Sequence, residues 1–207
     1  GPDGRLRIWG VNFCWAACFP THEDAEKIAR RLEAFGVNSV RFHHMDYEYE
    51  QFPRSIWDKD DPTKISPEAL DRLDYFIDQL ARRGIYSNLN LHVSRIHSRH
   101  LGLPETKAFA PYDKGVDLFT PQLIEAQKNY ARQLLLHVNP YRGRSYAQDP
   151  AIAFVEINNE DSLFMHGMQE KLAQMPPFYA QIFQHRFNQW LIERYGAREK
   201  LASAWEQ

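Results

Sequence analysis

The stretch Ala151–Leu163 reads AIAFVEINNEDSL. Its first half is apolar and β-prone, interrupted only by Glu156, and it follows a turn-forming Asp149-Pro150. That is the signature of a strand. It then runs into Asn158, Asn159, Glu160 and Asp161. Such an ending suits a polar strand-to-helix turn whose Asn and Asp cap the next helix. It equally suits a strand end that holds chemistry over a cavity. The rest of the chain supplies the context.

Upstream, three segments share one grammar. Residues 23–35 (EDAEKIARRLEAF) carry a helical stripe at Ala25, Ile28, Ala29, Leu32 and Phe35, stopped by Gly36 and followed by VNSVRF. Residues 67–83 repeat it, with Pro67 in the first turn, a stripe at Leu70, Leu73, Phe76, Ile77 and Leu80, and Gly84 at the stop before IYSNLNLHV. Residues 121–138 read as a third helix, leading through NPYRGRSYAQDP into the opening stretch. RIWGVN (7–12) precedes them as a first strand, and 177–195 follows as an amphipathic helix stopped by Gly196. The order β-α-β-α-β-α-β-α predicts an α/β fold with parallel strands at about 7–12, 37–42, 85–92 and 151–158, in one domain spanning 1–207. Gly1-Pro2 reads as a tag scar, and 94–120 as a long irregular loop.

Chemistry gathers at one end of these strands. The C-terminal ends carry Cys14-Trp15, Arg41 with His43 and His44, His92, and Asn158-Asn159-Glu160; the other ends are plain turns. In parallel α/β folds sites form at the former. There, a carboxyl such as Glu160 can act as general acid and then base, while Asn159 can bond a substrate hydroxyl. Alternation places Glu156, Asn158 and Glu160 on one face, with Glu156 a structural partner for the Arg41 fork.

Composition narrows the classes. The 207 residues are 43% hydrophobic and 14% aromatic, enough for one core, and the net charge of −2 with scattered Lys and Arg excludes a nucleic-acid surface. No apolar run is long enough for a membrane span. No secretion signal is visible, so the compartment stays unassigned. Cys14 and Cys18, in CWAAC, lack disulfide-framework or redox spacing and read as two small buried thiols.

Four strand-end pieces, IWGVNF, SVRF, LNLH and FVEINNE, occur in an order that resembles the clan A glycoside hydrolases, above all family 5. The resemblance covers Leu6 to about Gln207. It implies the N-terminal (β/α)4 half of a TIM-type (β/α)8 barrel and retaining hydrolysis of a β-linked oligo- or polysaccharide. It implies Glu160 as acid/base, Asn159 on the sugar 2-OH, and Arg41 and His92 as supporting groups. His43, His44, Trp15 and Trp57 complete the candidate saccharide site, with Tyr47, Tyr49, Phe52 and Tyr112 as further aromatics nearby in sequence.

A full barrel needs about 250 residues, so strands five to eight do not fit and the nucleophile is expected outside this chain. The exposed strand edges would then take a second copy or the missing C-terminal half. No cofactor is expected, and no metal: His97 and His100 stand among Arg95 and Arg99, which oppose a cation. The alternatives are a non-catalytic carbohydrate-binding or self-associating half-barrel and, further off, a metal-dependent hydrolase of another (β/α) family.

Overall fold

The computed structural model describes residues 4–48, 55–164 and 167–206. In chain order the elements are β1 (Gly10–Cys14), α1 (His22–Ala34), β2 (Ser39–His43), α2 (Pro67–Ala81), β3 (Tyr86–His92), α3 (His97–His100) and α4 (Pro121–Leu135). Then come β4 (Val138–Asn139), β5 (Arg144–Ser145), β6 (Ile152–Asn158), α5 (Met168–Lys171), α6 (Pro177–Tyr195) and α7 (Arg198–Trp205). Where the sequence reads as one domain, the described residues gather into two compact units, 1–95 with 127–160, and 96–126 with 161–207.

The first unit is built on a parallel sheet in the order β1-β2-β3-β6. Helices α1 and α2 form where the stripes predict them. Thr21 Oγ1 accepts from the Asp24 N–H at 3.1 Å, Ser66 Oγ accepts from the Ala69 N–H at 3.3 Å, and Pro67 fills the first turn of α2. Gly36 and Gly84 follow their helices at φ +71° and +68°, a left-handed backbone that glycine takes without a Cβ penalty.

Alternation sends Val40, Phe42 and Leu89 to the helix side, where they are buried with Leu73, Phe76, Ile77 and Leu80 of α2. The rings of Phe13 and Phe42 meet Phe76 edge-on at 5.4 and 5.6 Å. The opposite face is polar. Register places Asn12, Arg41 and Asn88 side by side, and Asn90 beside Glu156.

Differences from the expected boundaries have local causes. The first strand begins at Gly10, not residue 7. Asn38 holds the preceding segment through its side chain instead: its Oδ1 accepts from Trp9 N–H and its Nδ2 donates to Arg7 O, both at 2.8 Å. Residues 138–145, read from sequence as helix end and turn, form the small antiparallel β4–β5 hairpin. Among the described residues, β1 and β6 each pair with one strand only, and Phe154, Val155 and Ile157 of β6 are exposed.

The second unit has its own core of Phe109, Val116, Phe119, Leu123, Met175 and Tyr179. Its loop is ordered around buried Asp113, which accepts from Ser98 N–H at 2.8 Å, Ser98 Oγ at 2.6 Å and Thr106 Oγ1 at 3.0 Å. Helix α6 falls on the predicted residues. Its apolar side chains do not form one buried stripe, however: Phe187, Trp190 and Ile192 are exposed.

Candidate functional site

Side chains from within β2, β3 and β6 converge on one carboxylate. Glu156 Oε1 accepts from Arg41 Nε at 2.6 Å and from Asn88 Nδ2 at 2.6 Å. Its Oε2 accepts from Arg41 Nη2 at 2.7 Å and Asn90 Nδ2 at 2.9 Å. The bidentate guanidinium holds the Glu156 carboxyl below its ordinary range, and the Asn88 amide adds to this. Arg41 Nη2 also donates to Asn159 Oδ1 at 2.9 Å, and the Asn159 N–H donates to His92 O at 2.9 Å.

This changes one detail of the alternation argument. Regular alternation ends at Asn158. Asn159 turns its amide back to Arg41, and Glu160 has φ +47° and an exposed side chain. Glu160 remains close enough for its charge to act on Arg41. Trp15 and His44, the first residues after β1 and β2, have φ +53° and +56°. Thus three strand ends carry non-glycine residues in left-handed backbone, each costing about 1–3 kcal/mol of strain, which clusters at functional sites.

Trp15 and His44 stack, with ring centroids 5.1 Å apart at 18°, and Trp15 is 42% exposed. His44 Nδ1 lies 3.0 Å from Ser94 Oγ. His43 is partly buried, and burial, with the nearby charges of His44 and Arg41, pushes its imidazole down to about 4. His92 is buried at 2% exposure, its Nδ1 3.9 Å from Asp46 Oδ2.

Trp57 corrects a sequence expectation. It is not an open platform but part of the core, 8% exposed. Its Nε1 donates to Asp46 O at 3.1 Å, the Arg95 guanidinium covers its ring at 3.9 Å, and Tyr130 packs at 4.7 Å. Of the two cysteines Cys18 is buried, and its thiol is pushed up by that burial; Cys14 is only partly buried. Tyr112 belongs to the second unit, and Tyr49 and Phe52 lie outside the described residues.

Sequence reasoning missed Asn88, Asn90, Ser94 and Asp46. The first two had a signal: in SNLNLH, positions 88, 90 and 92 alternate polar on one strand face. Asp46 had none. It is fully buried and accepts from the N–H groups of Val93 at 2.8 Å, Ser94 at 3.0 Å and Arg95 at 3.0 Å.

The His43 environment carries a pH dependence. The folded ring gives up its proton near 4 and an ordinary imidazole near 6.5, so between these values the unfolded chain binds more protons. The His43 contribution to stability is therefore complete above about 6.5 and is lost as pH falls toward 4. His43→Gln should flatten the fall in denaturation midpoint between near-neutral pH and about pH 5. An unchanged fall in the variant would contradict this.

With this geometry established, the fold can be placed: a parallel four-stranded α/β sheet with helices, matching part of a TIM-barrel glycoside hydrolase. In particular, the chain is similar to an endo-1,4-β-mannanase from Rhizomucor miehei (TM-score 0.59, 22% identity, 76% of this chain and 45% of that one). It is also similar to an endo-β-1,4-mannanase from Thermotoga petrophila (0.56, 17%, 83% and 38%). A glycoside hydrolase family 5 mannosidase from Rhizomucor miehei matches as well (0.57, 17%, 74% and 44%). The chain thus spans less than half the length of these structures. No protein-family model and no curated protein sequence matches it.

Proposed function

We propose that this chain carries the acid/base part of a saccharide-hydrolysing site, acting by retention on a β-linked oligo- or polysaccharide. The supporting observation is the Arg41 guanidinium, which grips the Glu156 carboxylate and the Asn159 amide at once. That grip anchors the backbone from which Glu160 projects. Glu160 would protonate the glycosidic oxygen and then deprotonate the attacking water. A guanidinium only donates, so Asn159 turns its Oδ1 to Arg41 and keeps its Nδ2 for a sugar 2-OH. A retaining site needs a second carboxylate about 5–5.5 Å away, here assigned to a strand beyond these four. The uncovered edges of β1 and β6 are assigned to the missing half-barrel or to a second copy.

The exposure of Glu160 favours a second reading, a half-barrel that binds saccharide without cleaving it. Both readings require a sugar to bind here. Calorimetric titration with mannotriose should show binding, weakened about tenfold by Trp15→Ala, since an exposed indole offers its face to a sugar ring. No binding, or equal binding by the variant, would contradict the assignment. Light scattering on the same samples reads the oligomeric state, and a strict monomer removes the two-copy form.

A further inference from the structure

Alternation along β2 puts His43, its last residue, on the same face of the sheet as Arg41. Across that face Asn90 Nδ2 lies 2.9 Å from Glu156 Oε2 and 3.4 Å from His43 Nδ1. Arg41 holds Glu156 as a carboxylate, which only accepts. The nitrogen of the Asn90 amide therefore faces it, because the flipped amide would set Oδ1 against Oε2, two acceptors 2.9 Å apart. This orientation leaves Asn90 Oδ1 buried without a partner among the described residues, a smaller penalty than opposing an acceptor to a charged oxygen.

The second proton of the amide is then left for His43 Nδ1. A ring with its proton on Nδ1 would oppose N–H to N–H, so the neutral imidazole accepts at Nδ1 and carries its proton on Nε2. Burial is the largest influence keeping this ring neutral, and the positive charges of His44 and Arg41 act in the same direction; Glu156 and Asp46 act against them. A proton on His44 strengthens that neutrality, and its loss leaves the larger influence in place. Cys14 of β1 stands beside His43 in register. His43 is partly exposed, and its Nε2 has no hydrogen-bond partner among the described residues.

We propose that Asn90 fixes His43 as an Nε2–H donor that gives a hydrogen bond to one oxygen of a bound saccharide. Asn90 and Glu156 are the positioning residues: the carboxylate sets the amide, and the amide sets the ring. At this point the site donates and does not accept, so it reads a hydroxyl, ring or glycosidic oxygen and offers nothing to a ligand N–H. The assignment rests on the saccharide reading above and adds a group that recognises the sugar.

Long-range ¹H–¹⁵N spectra of the full chain test the wiring without any activity, with His43→Gln assigning the ring. They are recorded at about pH 6, where an ordinary imidazole is mostly protonated. His43 should be neutral, with its proton on Nε2 and an Nδ1 signal typical of a nitrogen that accepts a hydrogen bond. In Asn90→Ala that signal should move to the value of a free unprotonated nitrogen. A proton on Nδ1 in the wild type, or a folded Asn90→Ala with the Nδ1 signal unchanged, would overturn the proposal. In calorimetric titration with mannotriose, His43→Leu should bind about tenfold more weakly, the scale of one lost hydrogen bond. His43→Gln, whose amide brings an N–H near the place of Nε2, should recover most of that loss. Wild-type affinity in His43→Leu would overturn the proposal and leave the saccharide reading standing. Binding of no saccharide by the wild type would remove both.

Discussion

Asp46→Ala should lower folding stability by about 3–5 kcal/mol, because each buried donor left unsatisfied costs about 1–3 kcal/mol and water entering the cavity recovers part. The donors are the backbone N–H groups of Val93, Ser94 and Arg95, which converge on a carboxylate with no exposed surface. Ser94 Oγ is a fourth partner. Asp46 therefore fixes the turn that leaves β3, and through it the seat of His44. Asp46→Asn should cost less, because it keeps one acceptor oxygen and the side-chain shape. Urea denaturation followed by tryptophan fluorescence would measure both. A loss below about 1 kcal/mol for the alanine variant would show that this carboxylate does not organise the turn.

The parts of the fold that were legible in sequence are those specified locally. The stripes of α1 and α2, Pro67 in the first turn of α2, and the stops at Gly36 and Gly84 each lie within one helix or a few residues of it. The strands followed from position between helices, and three of four fall within two residues of expectation. What failed depends on distant partners. Asp46 meets donors 47 to 49 residues away. Trp57 looked like an available loop aromatic until Arg95 and Tyr130 closed over it. The left-handed turn at Glu160 interrupts a period-2 pattern that otherwise reads straight through. No periodicity announces such a turn, because it arises where the Arg41 guanidinium pulls Asn159 back toward the sheet face.

The sheet also departs from the usual parallel pattern, in which both faces are apolar. One face here follows it, with Val40, Phe42 and Leu89 buried against α2. The other carries Arg41, Asn88, Asn90 and Glu156, joined by hydrogen bonds that leave the carboxylate with four donors. A polar face of this kind is expensive to desolvate; its carboxylate is satisfied by those four donors, while Asn88 Oδ1 and Asn90 Oδ1 are buried without a hydrogen-bond partner among the described residues.

The central claim is that the carboxyl of Glu160 moves a proton to and from the glycosidic oxygen. The most direct measurement is hydrolysis of an unactivated β-mannoside by the intact protein that carries residues 1–207, wild type against Glu160→Gln. An amide cannot give the proton, so turnover should fall about 10³-fold with saccharide affinity retained. An aryl mannoside, whose leaving group departs without a proton, should recover much of the first-step rate. Wild-type turnover of the unactivated substrate by Glu160→Gln would contradict the account.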